Sequence, residues 1–503
     1  MTVTREIRSA LPRGSMPERA EEASKADGAR KSDHRVVPMK PGNSGGGKAV
    51  TPPSRVEGAP AVHRDGDPVK LRLARIRQRA RTHRSDAFNN LLTHLDAEML
   101  LYALEQLEDG KAAGVDGISL EEYEQGLEAR LTSLLDRLHR ETYRPQPSRR
   151  RWIPKGDGRE RPLGIPAIED KVVQRGLSDV LTEVYEEEFY DFSYGFRPGR
   201  GCHDALRGLG RHIAQDRVNW VVEADIKGFF DHVDHEWLLK MVALRVSDER
   251  VLRLIRCMLE AGVMEGGNRL ETEKGTPQGG VISPLLANIY LHYALDDWFA
   301  KVVKRDCQGE AYLVRYADDF VACFQYETDA RRFRTALDGR LGKFQLEVEP
   351  SKTRILRFGR FAKRDVERRG ERVAVFDFLG LTHYCGTSRA GRFKLKWRTS
   401  MKRLRAKLHA MREWIRSHLT LPVAELWKTV NRKLAGHYAY YNVSDNSRGV
   451  AQFRWQTFKA LYWALNRRSQ RHSFTWREFV AYVGRYPLAT PRRVVNLNPA
   501  PTV

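Results

Sequence analysis

Two adjacent carboxylates, Asp318 and Asp319, lie between apolar runs at residues 311–315 and 320–324. This pattern predicts a β-hairpin whose tip carries both carboxylates. Hard cations take oxygen ligands, and Mg²⁺ usually needs few protein carboxylates together with substrate phosphates. The tip therefore predicts a site for Mg²⁺. A second Asp-Asp pair, at residues 296–297, lies on a helical pattern, and we interpret that pair as a solvated helix face or a helix cap.

A third carboxylate, Asp225, ends the β-branched run at residues 220–225, which predicts a buried strand. Two-metal phosphodiester synthesis needs carboxylates that bridge both ions, because one ion activates a 3′-hydroxyl while the other holds the triphosphate and the leaving oxygen. Asp225 can supply such a ligand beside Asp318 and Asp319. An Asp at a strand end also caps the next helix. The hairpin pair favours the metal-binding interpretation.

These blocks resemble the reverse transcriptases of the group II intron maturase type. Residues 225–231 (Asp-Ile-Lys-Gly-Phe-Phe-Asp) precede residues 316–319 (Tyr-Ala-Asp-Asp), and similar blocks run in order from residues 112–117 to residues 436–442. The resemblance covers most of the chain. It implies an α+β fold with the fingers and palm of a right-hand polymerase, an antiparallel palm sheet, and a helical thumb and maturase region.

The resemblance also implies a metal site and a nucleotide site. Its catalytic and metal-binding residues are Asp225, Asp318 and Asp319, with Ile226 as a further metal ligand and Mg²⁺ as the ion. Its nucleotide-binding residues are Lys155, Arg161, Phe230, Gln278 and Lys352.

The resemblance assigns three of the nucleotide-binding residues to the triphosphate and the sugar of the nucleotide. Lys155 and Arg161 flank a glycine-containing turn and would clamp the triphosphate, since Arg offers forked donors and Lys a mobile charge. A basic hairpin turn is also commonly just exposed. Phe230 would exclude a ribose 2′-hydroxyl and favour deoxynucleotides. Core packing is the alternative for Phe229 and Phe230, and we expect one of them to do only that.

Two further roles come with equally ordinary alternatives. Gln278, in a glycine turn, would lie against the nascent base pair, or simply precede a helix that has proline in its first turn. Lys352 would protonate the leaving pyrophosphate, or lie exposed on the surface. Residues 378–380 (Phe-Leu-Gly) resemble a hairpin that grips the primer end, although an apolar strand with a glycine has the same pattern.

Composition indicates a polyanionic partner. The 503-residue chain has a net charge of +23 and a pI near 9.9. Cationic excess binds phosphates with release of counterions, so affinity should fall steeply with salt. An acidic membrane also attracts such charge, but no apolar run is long enough to span a bilayer: the best candidate, residues 281–299, contains Asn288, His292, Asp296 and Asp297.

Five widely spaced cysteines without a Cys-x-x-Cys pair indicate neither a zinc site nor a disulfide framework. Many members of the resembled family append a zinc-bearing endonuclease, and we expect this domain to be absent. The N-terminus lacks a signal-peptide apolar core, so we expect a reducing setting in the bacterial cytoplasm, in association with nucleic acid.

Patterning divides the chain into four parts. Residues 1–68, rich in Gly, Pro, Ser and charge, are expected to form a disordered basic tail. Residues 69–385 are expected to form the fingers and palm, entered through a basic helix at residues 71–81. Residues 386–480 are expected to form the helical thumb and maturase RNA-binding domain, and residues 481–503 a C-terminal tail.

The third part carries the predicted RNA-binding residues. One apolar stripe predicts its first helix and consists of Met401, Leu404, Leu408, Met411 and Ile415. The predicted RNA contacts are Lys402, Arg403, Arg405, Lys407, Tyr438 and Tyr441. Cations opposite an apolar stripe suit a thumb helix that tracks phosphates, but also any basic amphipathic helix. Aromatics mixed with arginine over residues 453–468 suit RNA stacking, with core packing as the alternative.

We therefore expect an RNA-directed DNA polymerase that binds group II intron RNA, assists its splicing and copies it into DNA during retrohoming. Its expected partners are the intron RNA, an RNA template with a DNA primer, target DNA and deoxynucleoside triphosphates, and no membrane. Two alternatives stay open: a domesticated group II-like reverse transcriptase in defence or repair, and a splicing cofactor without polymerase activity. The three carboxylates argue against the cofactor, and residues 436–442 favour an intron role.

Overall fold

The computed structural model describes residues 67–154, 160–276, 278–368, 370, 373–468 and 473–498. The strands are β1 Ser148–Pro154, β2 Glu160–Ile165, β3 Trp220–Ala224, β4 Val263–Glu265, β5 Asn268–Leu270, β6 Ala311–Tyr316, β7 Asp319–Phe324, β8 Arg354–Arg357, β9 Phe376–Phe378, β10 Leu381–Thr387 and β11 Phe393–Thr399. The helices are α1 Pro68–Thr82, α2 Ala97–Glu105, α3 Leu120–Glu124, α4 Leu127–His139, α5 Ile168–Tyr185, α6 Cys202–Gln215, α7 Phe229–His232, α8 His235–Val242, α9 Glu249–Glu260, α10 Ser283–Leu291, α11 Glu327–Gly342, α12 Arg360–Arg368, α13 Met401–Ser417, α14 Val423–Tyr441, α15 Ser447–Asn466 and α16 Trp476–Arg485.

A four-stranded antiparallel sheet, in the order β6-β7-β3-β8, forms the centre of the molecule and is called the central sheet below. Side chains alternate between the two faces of a strand. On β3, Val222 joins the core shared with the N-terminal helices, whereas Val221 joins the core shared with the C-terminal helices. The predicted strand before Asp225 and the predicted hairpin around residues 317–318 are both present.

The N-terminal helices share one hydrophobic core with one face of the central sheet. Helix α1 is the predicted basic helix, and it turns Val69, Leu73, Ile76 and Ala80 inward while four of its five arginines are exposed. Strands β1 and β2 form an antiparallel hairpin beside these helices. The tip of that hairpin, with Lys155, lies outside the described residues, as does nearly all of the expected tail at residues 1–68.

A long helical segment runs behind the hairpin of β6 and β7. Helix α10 continues through π-helical turns at His292–Asp296 and Phe299–Val303. Asp296 and Asp297 are buried on this segment, so the interpretation of this pair as a solvated face or cap is wrong. Asp296 is buried because its charge is paired with the equally buried Arg315. Among the described helices, none is both long and apolar enough to cross a bilayer.

The C-terminal part combines a three-stranded antiparallel sheet, β11-β10-β9, with helices α13 to α16. The predicted stripe on α13 is buried from Leu404 to Ile415, and Met401, in the first turn, is exposed. Residues 481–485 complete α16, where a tail was expected, and the following segment folds back onto the body. There Val495 pairs with Val443, and Leu497 is fully buried.

Candidate active site

The tip of the β6–β7 hairpin carries two of the predicted carboxylates. Tyr316 pairs with Asp319, which leaves Ala317 and Asp318 as a two-residue turn. Ala317 has a φ of 55°, in the left-handed region that suits such tight turns but that residues with a side chain rarely adopt. The turn thereby sets both aspartates at one end of the central sheet.

Asp225 arrives at the same end from the neighbouring strand. Ala224 is the partner of Phe320 in the β3–β7 register, so the next position outward sets Asp225 against Asp319. The backbone of Asp225 is fixed on its other side, where its carbonyl oxygen accepts a hydrogen bond from the Glu349 amide at 2.8 Å. The structure thus places the three predicted carboxylates at the same end of the central sheet.

The charges of these carboxylates oppose one another. Burial raises the pKa of Asp318, and the charge of Asp225 raises it further. The pKa of Asp319 is also raised, to about 7, chiefly by partial loss of hydration at the tip and then by the charges of Asp318 and Asp225, although its side chain is exposed to solvent on one side. A carboxyl group that keeps its proton near neutral pH marks a place where negative charge lacks compensation. A bound cation would supply that compensation.

Lys352 provides part of the compensation in this state. Its ammonium group donates a hydrogen bond to the Asp225 carboxylate, and this contact raises the pKa of the lysine. Within the described ranges, no three or more His, Cys, Asp or Glu side chains are gathered tightly enough to hold a metal ion. The oxygen donors nevertheless fit a hard divalent cation, provided that Asp225 exchanges Lys352 for the ion.

Ile226 can contribute only its backbone carbonyl oxygen to a metal, because its side chain is buried in the core. It forms an antiparallel bridge with Val348 whose hydrogen bonds run from Lys227 to Glu347 and from Glu349 to Asp225. The pairing therefore leaves the Ile226 carbonyl unused.

Two of the predicted nucleotide-binding residues, Arg161 and Gln278, are linked by a hydrogen bond beside the carboxylates. The Arg161 guanidinium donates to the Gln278 side chain at 2.6 Å, and the Gln278 amide donates to Asp231 at 3.0 Å. The positive charge of Arg161 also acts on Asp318, where it opposes part of the increase in pKa. The loop that holds Gln278 lies close to β2, because the Gly164 amide donates to the Gln278 carbonyl at 2.6 Å.

The two adjacent phenylalanines have different surroundings. Phe229 is buried and packs edge-to-face on Tyr290. Phe230 is half-buried, and its carbonyl accepts from the Thr276 amide at 2.8 Å, which ties it to the loop of Gln278. Phe229 is therefore the core residue of the pair, and Phe230 is the one available to a nucleotide sugar.

The hairpin tip is supported from below by a buried ionic network. Arg315 donates two hydrogen bonds to the Asp296 carboxylate at 2.7 and 2.5 Å, one to the Asn288 side chain at 3.0 Å and one to the Ala317 carbonyl at 3.1 Å. The last contact holds the turn itself. A charged network of this kind fixes the position of the tip because each group must keep its partner.

Comparison with known proteins supports a family assignment. A family model described as reverse transcriptase (RNA-dependent DNA polymerase) matches residues 153–383. The chain is 36% identical over 272 residues to protein YkfC of Escherichia coli (strain K12), covering 48% of this chain and 71% of YkfC. It is 39% identical over 227 residues to group II intron-encoded protein LtrA of Lactococcus lactis subsp. cremoris, covering 45% of this chain and 38% of LtrA.

The chain belongs to the reverse transcriptase family, in its group II intron-encoded branch. A shorter match, 34% identical over 132 residues, links it to nuclear intron maturase 4, mitochondrial, of Arabidopsis thaliana, covering 26% of this chain and 16% of the relative. The chain spans well under half of the length of LtrA. Reverse transcriptases generally use divalent metal ions, which agrees with the carboxylates at the hairpin tip.

One loop beside the hairpin tip was not predicted as part of the site. Gly195 lies against the hairpin tip so closely that a Cβ there would collide with the amide nitrogen of Ala317. Phe196, which follows, has a φ of 59° and is half-exposed beside the tip. The buried Arg197 holds this loop through two hydrogen bonds of 3.0 Å to Glu186. The Pro198-Gly199 pair at the end of this loop was the available signal, since a proline beside a glycine indicates a tight turn.

The hairpin between β9 and β10 is the predicted primer-gripping element. Leu379 and Gly380 form its turn with φ values of 49° and 76°. The Tyr440 hydroxyl donates to the Leu379 carbonyl at 2.7 Å, and a Cβ on Gly380 would lie 3.0 Å from the Tyr441 hydroxyl. Tyr440 and Tyr441, in the block of residues 436–442, therefore support this hairpin.

The predicted RNA-binding residues divide into two groups. The cations of α13 are exposed: Lys402, Arg403, Arg405 and Lys407. Tyr438 and Tyr441 are buried, which corrects their assignment as RNA contacts. Their rings face the C-terminal core, and Tyr438 donates its hydroxyl to the Ala489 carbonyl at 3.0 Å, so neither offers a face for stacking.

Proposed function

We propose that this protein is an Mg²⁺-dependent RNA-directed DNA polymerase that binds group II intron RNA, assists its splicing and copies it during retrohoming. The observation that carries the proposal is the meeting of Asp225, Asp318 and Asp319 at one end of the central sheet. Its substrates would be deoxynucleoside triphosphates on an RNA template with a DNA primer at target DNA. The bacterial cytoplasm would be its place of action.

The carboxylates would hold Mg²⁺, with the Ile226 carbonyl as a further ligand. When bound, the ions would act as Lewis acids toward the attacking 3′-hydroxyl and the leaving oxygen. Asp225 would turn from Lys352 toward the metal. The released Lys352 ammonium would then lie where a leaving pyrophosphate gains charge, and it could donate a proton there.

The remaining residues would bind and orient the nucleotide. Arg161 would exchange Gln278 for the triphosphate, with Lys155 as its expected partner, because a guanidinium donates in a fork that matches phosphate oxygens. Gln278 would then be free to lie against the nascent base pair. The half-buried ring of Phe230 would occupy the space that a ribose 2′-hydroxyl needs, which favours deoxynucleotides.

The intron role is supported by the relatives and by charge. LtrA is named a group II intron-encoded protein, and the Arabidopsis relative is named an intron maturase. The exposed cations of α13, Lys402, Arg403, Arg405 and Lys407, form a surface suited to phosphates. RNA held there would reach the hairpin of residues 379–380 and the carboxylates beyond it, since Arg403 is close enough to lower the pKa of Asp319.

Primer extension on an RNA template tests the polymerase directly. With Mg²⁺ and deoxynucleotides, the full chain should extend a labelled DNA primer, and Asp318→Ala/Asp319→Ala should lose more than about a hundredfold, since even outer-shell changes at metal sites cost 10–100-fold. Asp338→Ala is a matched control, because Asp338 is exposed and forms an ion pair with Arg334 on its own helix. That control should extend as the wild type does.

Two outcomes would contradict the polymerase proposal. Full extension by the double variant would remove these carboxylates from catalysis. No extension by the wild type, together with tight, salt-sensitive binding of a structured intron RNA, would favour a splicing cofactor instead. Ribonucleotides tested in parallel report on the role of Phe230.

A further inference from the structure

Three tryptophans are exposed together on the outer side of the C-terminal helices. Trp455 is 46% exposed and Trp463 59% exposed on α15, and Trp476, at the start of α16, is 41% exposed. We call these three residues the tryptophan surface. Contiguous exposed aromatic area on a folded domain usually marks a binding site. This surface has no assigned role in polymerisation.

The rings of the tryptophan surface are held in place by their neighbours. Trp455 and Trp476 meet edge-to-face with centroids 6.0 Å apart. Tyr462 contacts both Trp463 and Trp476, with its ring centroid 5.3 Å from that of Trp463 and 5.0 Å from that of Trp476. Phe458 stacks beneath Trp455 at 5.4 Å with an interplanar angle of 11°. A rigid ring gives up little rotational freedom when a ligand stacks on it.

Positive charge is interleaved with these rings. Lys459 lies four residues from both Trp455 and Trp463, so all three share one side of α15. Its ammonium group lies 5.1 Å from the centroid of the Trp455 ring. From residue 447 onward the chain has ten Lys and Arg and one acidic residue, Glu478, which is occupied in a capping box with Thr475. The surface is therefore complementary to an anion.

The ligand must combine flat apolar faces with negative charge. Unpaired nucleotides do so, because each base offers a face for stacking and each phosphate a charge for Lys459. Paired bases in a duplex hide their faces, so the tryptophan surface should discriminate against duplex RNA. A protein ligand would meet the rings but would need an acidic surface as well.

We propose that the tryptophan surface binds unpaired bases of RNA by stacking on Trp455 and Trp463, with Lys459 against an adjacent phosphate. The proposal rests on the proposed function only for the identity of that RNA as an intron. It adds a single-strand site to the cationic track of α13. Loops and bulges of a folded RNA would be held there during splicing.

Binding of a short oligouridylate and of an RNA duplex of equal length to the full chain tests this proposal. Trp455→Ala/Trp463→Ala should weaken oligouridylate binding by roughly tenfold or more, as expected for lost base–aromatic stacking, and should change duplex binding little. Trp455→Phe/Trp463→Phe should retain most of the affinity, because it keeps a ring at both positions. Tyr326→Ala, at an exposed aromatic residue elsewhere, is the control.

Salt dependence separates stacking from charge. Lys459→Gln should reduce the slope of log affinity against log salt by about 0.7, the value for one phosphate of a single strand, whereas the tryptophan variants should keep the wild-type slope. Equal loss of oligouridylate and duplex binding, or no loss, would overturn the proposal. So would equal weakening by the Phe and Ala variants when both fold as the wild type does.

The outcome is independent of the polymerase test. All tryptophan variants should extend a short primer on a short template at the wild-type rate, because none of these rings lies at the carboxylates. Loss of oligouridylate affinity without loss of extension would support the tryptophan surface. Inactivity of the wild-type polymerase would leave that result unchanged.

Discussion

At the scale of single residues, Asp319 shows how the fold prepares a site for a cation. Its pKa of about 7 lies above the ordinary value for an aspartate of about 3.9, mainly because its partly exposed side chain loses hydration at the tip, with the charges of Asp318 and Asp225 next. Between these values the folded state holds a proton that the unfolded state has released. The metal-free protein should therefore lose stability as pH rises through this window.

The same proton predicts a pH-dependent metal affinity. Mg²⁺ or Mn²⁺ must displace the proton from Asp319, so binding should tighten as pH rises from about 6 to about 8 and should release up to one proton per protein near the lower end. Calorimetric titrations in buffers of different ionisation enthalpy count that proton. Asp319→Asn should abolish this release and should stabilise the metal-free protein above pH 7. Metal binding by the wild type that is constant over this range would contradict the prediction.

The role of a residue could be predicted from the sequence where its partners are neighbours in the sequence, and not where the partner is many positions away. Asp318 and Asp319 are adjacent, and their hairpin follows from flanking alternation. Lys352 is separated from Asp225 by more than a hundred positions, so the sequence left its surface role open. Asp296 was misinterpreted because its burial depends on Arg315, a residue on another element.

At the scale of elements, the position of the hairpin tip depends on the loop at Gly195, which can approach the tip because glycine has no side chain. A Cβ on Gly195 would collide with the Ala317 amide, and the Asn288 side chain also donates to the Gly195 carbonyl at 2.7 Å. The loop and the tip therefore form one unit. Sequence patterns identify the strands of this unit, but the contact between loop and tip follows only from their packing.

Replacement of Gly195 should reduce activity in a protein that still folds. Gly195→Ala should displace the hairpin tip and reduce primer extension about a hundredfold, because a shift of about 1 Å at reacting groups has that effect. Gly339→Ala is the matched control, since Gly339 lies within α11 with open space around it, and this change should stabilise by about 0.5–1 kcal/mol. Extension rates and unfolding free energies of both variants check this. Normal extension by Gly195→Ala would show that the tip tolerates displacement.

At the scale of the whole molecule, the central sheet lies between two separate cores. One core joins it to the N-terminal helices, and the other joins it to α6 and the C-terminal helices. The last described segment closes the second core. The Asn442 side chain donates to the Arg493 carbonyl at 2.8 Å, and the Arg207 guanidinium, on α6, donates to the Asn496 carbonyl at 3.3 Å.

This closure could not be predicted from the sequence. Residues 486–498 contain prolines, arginines and few large apolar residues, a composition that favours an exposed tail. Their backbone is held by side chains of distant elements, and only Leu488 and Leu497 enter the core deeply. Burial of Tyr438 has the same origin, because its hydroxyl binds the Ala489 carbonyl of this segment.

Leu497 should therefore stabilise the C-terminal part out of proportion to its place near the end of the chain. Leu497→Ala should cost about 2–5 kcal/mol of unfolding free energy, the range for a buried leucine, whereas Val494→Ala, at a 60% exposed position, should cost less than about 0.5 kcal/mol. Hydrogen exchange adds the spatial information: amides of α14 and α15 should exchange faster in Leu497→Ala, and those of α2 and α5 should not. Uniform acceleration would show that the two cores unfold as one unit, and no acceleration would show that the segment is not needed to hold the C-terminal helices against α6.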